Sequence, residues 1–289
     1  MAAAILAALL LFAPRLAGTS GNLPEVFPCP LPQAQPAPAD VELASLLTRA
    51  SDYCDSLSQA ALNFVCRERV DEWFLADSEG TSSSYGLVIV GNRKEEHRYV
   101  YDYQLVHDRG DRVRETRTLL EEDRKKVHVA DAPLKTQVFR HVLVTMGPIG
   151  LLGRDAQASF DFRLARRENI NGELAVAIEA TPKPGLRPDY LFGTVWLRAK
   201  DAAVLKIQWT PGSMGNYEAV VKEAQSLRLK PDILMTSEYA FEKNGLRFPS
   251  RYEVNERYAG RHGGRLERSG TVVRYDQYKF FTVETNVKF

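Results

Sequence analysis

The first regular stretch of the chain repeats apolar residues at spacings of three and four. It begins after Asp40, which can cap a helix, and its apolar positions are Leu43, Leu46, Leu47, Ala50, Cys54, Leu57 and Ala61. This spacing predicts an amphipathic helix over residues 40–61. Weaker helical patterns predict two further helices, at Leu134–Leu152 and Tyr217–Leu227.

From Phe64 onward the pattern changes to an alternation of apolar and polar residues, which is the period of a half-buried strand. Asn171-Gly172 and Asn244-Gly245 separate alternating stretches, and this dipeptide is a strong hairpin signal. About ten or eleven antiparallel strands are predicted from the stretches Phe64–Phe74, Ser84–Val90, His97–His107, Arg112–Leu120, Phe160–Arg166, Leu174–Ala180, Tyr190–Arg198, Ala203–Trp209, Ile233–Glu242, Arg247–Tyr258, Leu266–Tyr275 and Lys279–Lys288.

These elements predict a mainly β (α+β) fold. We expect a strongly curved antiparallel sheet, or half-open barrel, of about 10–11 strands that wraps a long N-terminal helix and short central helices.

The N-terminal residues are typical of an export signal. Ala2–Ala13 is an apolar run of twelve residues, shorter than the roughly 20 that a membrane-spanning helix needs, and small residues follow at Ala17 and Gly18. We predict a signal peptide over residues 1–18, with a buried helix as the alternative. Residues 19–39 are predicted to be a Pro-rich linker and residues 40–289 a single β domain, exported to the periplasm and soluble after cleavage.

Composition narrows the function classes. The chain has 38 Lys and Arg against 37 Asp and Glu, a net charge of +1, so no nucleic-acid partner is expected. Hydrophobic residues make up 44% of the 289 residues, enough for a folded core. We expect a monomer.

Cysteine usage fits an oxidising compartment. Cys54 and Cys66 lie twelve residues apart across the predicted helix–strand boundary. On one continuous helix their Cα atoms would be about 18 Å apart, too far for a disulfide, but a chain reversal near Ala61 lets them meet. We predict a Cys54–Cys66 disulfide, with two buried free thiols as the alternative. The third cysteine, Cys29, lies in the Pro-rich linker, and whether it is unpaired or exposed is left open.

No catalytic or metal-binding motif is present. The five histidines are scattered, no hydrolase or nucleotide-binding signature occurs, and we expect no metal, no cofactor and no catalytic residue. Glu68 with Glu72 could in principle form a paired-carboxylate hydrolase site, and His141 is a further candidate. A solvated strand edge is the favoured interpretation of the two glutamates.

The alternating strands collect large apolar side chains on one face of the predicted sheet. Either ordinary core packing covers this face, or the helices fill it incompletely and leave an apolar cavity for a lipid or acyl chain. The residues predicted to line such a cavity are Tyr101, Tyr103, Phe160, Phe162, Leu205, Ile207, Trp209, Tyr239 and Phe241.

Two segments carry a family resemblance. Gly193–Ile207 (GTVWLRAKDAAVLKI) has a strand, a short charged turn and a strand, and Asn244–Tyr252 (NGLRFPSRY) has a later strand entry. In these segments the chain resembles the LolA/LolB lipoprotein-carrier superfamily, which includes the RseB-type periplasmic sensors. The Tyr53-Cys54 and Phe64-Val65-Cys66 spacing is also similar to that of uncharacterised exported bacterial proteins. The resemblance implies a LolA-like sheet over residues 40–289 and carries over no functional residue.

Two main functions are expected. The first is a periplasmic, non-enzymatic protein whose apolar concave face binds lipid or the acyl chains of lipoproteins. The alternative is an envelope sensor or scaffold that binds a membrane-anchored protein, by strand addition to a sheet edge or through its outer face. A third hypothesis, an envelope hydrolase using Glu68, Glu72 or His141, has no motif behind it.

Overall fold

The computed structural model describes residues 38–77, 81–82, 88–89, 92–107, 112–186, 191–260 and 265–281. They lie in one compact unit, Ala37–Phe289. The helices are α1 (Pro38–Ala60), α2 (Gly147–Leu152), α3 (Arg154–Gln157) and α4 (Tyr217–Ser226), with 3-10 turns at Val144–Met146 and Pro211–Ser213. The strands are β1 (Phe64–Asp77), β2 (Thr81–Ser82), β3 (Val88–Ile89), β4 (Asn92–His107), β5 (Val113–Glu122), β6 (Lys125–Val129), β7 (Phe160–Ile170), β8 (Glu173–Pro182), β9 (Gly193–Arg198), β10 (Val204–Trp209), β11 (Lys230–Glu238), β12 (Phe241–Lys243), β13 (Leu246–Phe248), β14 (Arg251–Ala259) and β15 (Arg265–Phe280).

Eleven of these strands form one antiparallel sheet, in the order β6-β5-β4-β1-β15-β14-β11-β10-β9-β8-β7. This confirms the predicted mainly β, antiparallel architecture. The sheet is open, because β6 and β7 form its two edges and do not pair with each other. It is therefore not a closed barrel. The pairs β2–β3 and β12–β13 lie outside the sheet.

The order of the strands makes the chain cross the sheet once. β6 and β7 follow each other in sequence, yet they form opposite edges of the eleven-stranded sheet. The connection between them, residues 130–159, runs over the inner face, where Phe139, His141, Val144 and Leu151 are buried. Adjacent strands lie about 4.8 Å apart, so this connection has to span the width of the sheet. It forms the layer that covers this face.

The strand predictions hold where local chemistry dominates. Asn171 and Gly172 have φ values of 52° and 86°, as a two-residue hairpin turn requires, and the same holds for Asn244 and Gly245 at 53° and 78°. The predicted strand Leu266–Tyr275 is confirmed within β15, which continues to Phe280. Residues 282–288 of the predicted strand Lys279–Lys288 lie outside the described residues. Gln277, with a φ of 54°, lies in a register shift against β1, so the alternation changes there while pairing continues. Strand β6 was not predicted, and the Ser84–Val90 prediction lies mostly outside the described residues.

The predicted helix at Leu134–Leu152 is wrong over most of its length. Residues 131–143, which we call the cover segment, have no regular structure, and α2 begins only at Gly147. Hydrogen bonds to the sheet compete with those of a helix. Several backbone N–H groups of the cover segment bind side chains of the sheet and not carbonyl groups of their own turn. The helix at Tyr217–Leu227 is confirmed as α4. Among the described helices, none is long and apolar enough to cross a membrane.

One large hydrophobic cluster lies on the inner face of the sheet. Tyr99, Tyr101, Tyr103 and Leu105 all belong to it, as the alternation in β4 predicts. Helix α1 contacts β7, β13 and α2, so it covers the β7 end of the inner face. The cover segment covers the β1, β4 and β5 end.

The predicted Cys54–Cys66 disulfide is wrong, since both residues are free, buried cysteines. The chain does reverse between α1 and β1, but the two side chains point to different neighbours. Cys54 Sγ donates to the Pro148 carbonyl oxygen of α2 at 3.4 Å, whereas Cys66 is near Tyr278 of β15. Burial raises the pKa of the Cys54 thiol to about 12 and that of Cys66 further above its usual value. Cys29 lies outside the described residues.

In a Cys29→Ser background, we expect a thiol-alkylating reagent at pH 8 to leave Cys54 and Cys66 unmodified in the folded protein, because burial disfavours the reactive thiolate. After unfolding in denaturant without reductant, both should be alkylated, as mass spectrometry would show. An unfolded protein that takes up no label until it is reduced would contradict the free thiols.

Gly193 is predicted to be essential for the pairing of β9 with β10. A Cβ atom there would lie 2.1 Å from the Gln208 carbonyl oxygen. We expect Gly193→Ala to lower the free energy of unfolding by about 3 kcal/mol in urea denaturation. Gly212→Ala, where a Cβ meets no atom within 4 Å, is the control, and an equal loss in both variants would count against this assignment.

Candidate functional site

Side chains of the sheet bind the backbone of the cover segment along its length. An irregular segment cannot satisfy its N–H groups within its own turns, so those that face the sheet need partners there. The donors and acceptors are Lys135 N to Tyr101 Oη at 3.3 Å, Gln137 N and Val138 N to the Glu72 carboxylate at 2.9–3.0 Å, and Leu143 N to Glu115 Oε1 at 2.6 Å. Strands β1, β4 and β5 thus position the cover segment.

A buried charged cluster lies beneath it. Glu68 of β1 is completely buried, and its carboxylate accepts hydrogen bonds from Arg117 Nε at 2.6 Å and Nη2 at 3.2 Å. His141 Nε2 lies 3.0 Å from the same carboxylate, and because an ionised carboxylate only accepts, this nitrogen is the donor. Arg117 also donates to Glu115 at 3.1 Å, and Tyr103 Oη donates to Glu115 at 3.0 Å.

This cluster determines the ionisation of Glu68. Burial by itself raises the pKa of the carboxyl, but the His141 imidazole and the Arg117 guanidinium outweigh burial and lower the pKa to about 2. The same partnership raises the pKa of Arg117, against the effect of its own burial. Glu68, Glu72 and His141 were the hydrolase candidates. Here all three are buried and bonded within the protein, an arrangement that stabilises the cover segment.

An apolar cavity of about 500 Å³ lies between the cover segment and the inner face of β10, β11 and β14. Its volume falls within the roughly 300–1,000 Å³ of small-molecule sites. Val142 on its wall is 58% exposed, so the cavity reaches the surface. The lining residues are Arg140, Val142, Leu143, Val144, Gly147, Leu191, Trp209, Ser213, Gly215, Ser237 and Tyr252.

Hydrogen bonds fix the deep wall of this cavity. Trp209 Nε1 donates to Ser237 Oγ at 2.8 Å, and Tyr239 Oη donates to the Val144 carbonyl oxygen at 2.9 Å. At Gly147 a Cβ would lie 3.0 Å from Tyr239 Oη and 3.1 Å from the Trp209 ring. The absence of a side chain therefore lets α2 begin directly against these two aromatic residues. Their buried indole and phenol are held in one orientation.

A second cavity of about 480 Å³ lies on the other side of the cover segment, against β5. It shares Arg140, Val142 and Leu143 with the apolar cavity, so these residues form a common wall. We call it the polar cavity, because Arg114, Glu115, Arg117 and Asp131 also line it. Leu143, at the common wall, has a φ of 52°, a conformation unfavourable for leucine that the bond to Glu115 helps to hold.

The nine residues predicted to line a cavity do not gather at one place. Trp209 lines the apolar cavity. Tyr101 and Tyr103 lie beneath the cover segment, and Ile207 and Tyr239 are buried in the main cluster. Phe160 and Phe162 pack edge-to-face near the β7 edge, and Phe241 stacks on Tyr278 with ring centroids 4.4 Å apart. Packing thus accounts for most of the predicted apolar face.

Leu205 lies on the opposite face of the sheet from the one that the alternation predicts. It was grouped with Ile207 and Trp209, but it lies in a separate cluster with Ala175, Ala177 and Trp196. A register shift between Val204 and Lys206 inserts one extra residue into β10, which turns Leu205 to the opposite face.

The outer-face cluster has its own small pocket. Arg166 and Lys206 lie over the Trp196 ring, 5.3 and 5.2 Å from its centroid. The adjacent pocket holds about 230 Å³, below the usual size of a ligand site. We therefore place the candidate site on the inner face.

Sequence reasoning missed the residues of the cover segment that line the apolar cavity, namely Arg140, Val142 and Leu143, and also Leu191 and Gly215. Arg140, Val142 and Leu143 lie where the sequence pattern predicted a helix, but the structure has an irregular segment there, so the pattern did not show which side chains face the cavity. Within the described ranges, no group of three His, Cys, Asp or Glu residues could hold a metal ion.

The low pKa of Glu68 predicts acid sensitivity. The buried pair of Glu68 with Arg117 stabilises the folded state at pH values above the unfolded-state pKa of Glu68, near 4.5. This stabilisation is lost as the pH falls toward the folded-state pKa of about 2. At pH 7 we expect Glu68→Gln to lower the free energy of unfolding by about 3 kcal/mol, because it leaves Arg117 with an incomplete partner.

The difference between wild type and Glu68→Gln should shrink toward zero between about pH 5 and pH 2 in urea denaturation. Glu218→Gln, at an exposed position of α4, is the control and should follow the wild-type pH profile. A Glu68→Gln difference that stays constant across this pH range would refute the role of the ionised carboxylate.

Several solved structures are similar to the chain. No protein-family model matches it, and no curated protein matches it. A LolA superfamily protein from Nitrosomonas europaea is 12% identical with a TM-score of 0.34, over 83% of this chain and 96% of that one. A DUF1329 family protein from Desulfovibrio piger is 11% identical with a TM-score of 0.33, over 84% and 95%. The MucA/MucB complex of Pseudomonas aeruginosa contains a chain that is 13% identical with a TM-score of 0.21, over 81% and 99%.

Proposed function

We propose that this protein binds the acyl chain of a lipid or lipoprotein, without catalysis, in the apolar cavity beneath the cover segment. The observation that carries the proposal is the cavity itself: about 500 Å³, open at Val142 and walled by Trp209, Tyr252 and Leu191. Ordered aromatic and aliphatic walls with few polar groups are typical of sites for apolar ligands.

The affinity would come from burial of methylene groups. Each buried CH₂ contributes about 0.8 kcal/mol, so a chain of modest length suffices for micromolar binding after the cost of association. In the wall of the cavity, the Trp209 indole N–H and the Ser237 hydroxyl are already bonded to each other. They offer a ligand little hydrogen bonding, and this favours broad selectivity for chains.

The export signal predicted at residues 1–18 supports a role outside the cytoplasm. A water-filled periplasm contains lipids and lipoproteins that need a protein surface to cross it. Residues 193–207 and 244–252, which resemble lipoprotein carriers, are in accord with such a ligand.

The alternative, a scaffold that binds a membrane-anchored protein by strand addition, has less support. The edge strand β7 carries Arg163, Arg166 and Arg167, which form ion pairs with Glu179, Glu168 and Glu42. The other edge, β6, begins with Lys125 and Lys126. Charged side chains on edge strands are a common means of preventing strand addition.

Gly215 offers a way to fill the cavity without disturbing the fold. It lines the apolar cavity, and an added Cβ would meet no atom within 4 Å. We expect Gly215→Phe to weaken binding of a fluorescent fatty acid at least tenfold, because the phenyl ring takes the space of the ligand. The measurement is a fluorescence titration of the purified mature protein.

Gly212→Phe is the matched control. Gly212 has equally open surroundings and lies outside the cavity lining, so its affinity should equal that of the wild type. Loss of binding in both variants, or in neither, would argue against this cavity as the binding site. Thermal melting of both variants should agree with the wild type within a few degrees.

A further inference from the structure

The proposed function leaves the class of lipid open, and one residue narrows it. Among the described residues that line the apolar cavity, Arg140 is the only charged one. It is exposed, and the structure gives it no carboxylate within 4 Å among the described residues. A guanidinium without a counter-charge beside an apolar cavity matches a ligand with an anionic end and an apolar chain.

We infer that the preferred ligand is a single-chain anionic amphiphile, whose carboxylate or phosphate pairs with Arg140 while its chain enters the apolar cavity. The inference rests on the proposed function and specifies its ligand. A guanidinium suits either head group, because its parallel N–H donors match two oxygens of a carboxylate or a phosphate.

The charges of the polar cavity support this orientation. Arg114 is exposed and has no ion pair among the described residues. Arg117 forms ion pairs with both Glu68 and Glu115 within the buried cluster. Asp131 is the remaining acid on this lining. Since Arg140 borders both cavities, a head group at Arg140 would lie on the side where two arginines face one free carboxylate.

The size of the apolar cavity favours a ligand with a single acyl chain. About 500 Å³ lies in the lower half of the range for small-molecule sites. The deep wall is fixed by the Trp209–Ser237 and Tyr239–Val144 bonds, so the cavity has little freedom to widen for a second chain.

The test compares three probes of equal chain length: dodecanoate, dodecyl phosphate and dodecanol. Calorimetric titrations at pH 8, below the aggregation limit of each probe, measure their affinities for the wild type. We expect both anions to bind about tenfold more tightly than dodecanol, the ratio of a charge-assisted hydrogen bond to none. A higher salt concentration should reduce only the affinity for the anions.

Substitutions then assign the preference to Arg140. Arg140→Gln should weaken both anions about tenfold and leave dodecanol unchanged, and Arg140→Lys should restore much of the loss for the anions. Asp131→Asn should strengthen anion binding by about two- to threefold. Arg163→Gln, on the far edge strand β7, is the control and should change none of the three.

The outcomes separate the two proposals. Equal affinities of the wild type for all three probes, or an equal loss of all three in Arg140→Gln, overturn the assignment of the head group while the acyl-chain site stands. If none of the probes binds the wild type, the proposed function fails, and this inference fails with it. A preference for dodecyl phosphate over dodecanoate would identify a phosphate head group, and the reverse a fatty acid.

Discussion

The fully buried Glu68 carboxylate is the group on which the arrangement of the inner face depends. A charge out of contact with water is costly unless it is paired and hydrogen-bonded, and its partners come from two different parts of the chain. Arg117 belongs to β5, within the sheet, whereas His141 belongs to the cover segment. The charge on Glu68 is therefore satisfied only when the cover segment lies on the sheet. Tyr103 and Glu115 extend the cluster to Leu143, so one network fixes the segment from His141 to its end.

The cover segment in turn creates the cavities. A regular helix over these residues would satisfy its own backbone and need no partner from the sheet. The irregular segment is held at separate points, by Tyr101, Glu72 and Glu115, and spaces stay open beside it. The apolar and the polar cavity lie on its two sides and share Arg140, Val142 and Leu143. Buried charged groups hold an irregular segment in a place where a helix would satisfy its own backbone. This costly arrangement is our physical reason for assigning the function to this region.

The inner face of the sheet is a packed core at its ends and has an open cavity near its centre. At the ends of the inner face the predicted residues are packed, as the contact of Phe160 with Phe162 and the stacking of Phe241 on Tyr278 show. Near the centre, where the cover segment approaches β10 and β14, space is left against Trp209 and Tyr252. Periodicity identified the correct face for most of these side chains. It could not tell which of them are covered, because that depends on the path of the cover segment, which is irregular although its sequence pattern predicted a helix.

The sequence by itself determined the mainly β fold, most strand positions, α4, both Asn-Gly turns and the inward face of β4. These follow from side-chain alternation and from backbone preferences that act within a few residues. Only the tertiary structure decided the remaining features. The order of strands places β6 and β7 at opposite edges, and this forces residues 130–159 across the sheet. The bulge beside Leu205 turns this side chain to the outer face of the sheet. Cys54 and Cys66 contact different neighbours. Glu68 binds His141, which lies 73 residues later in the chain. Such contacts arise from long-range pairing and buried charge, whose energies no local pattern contains.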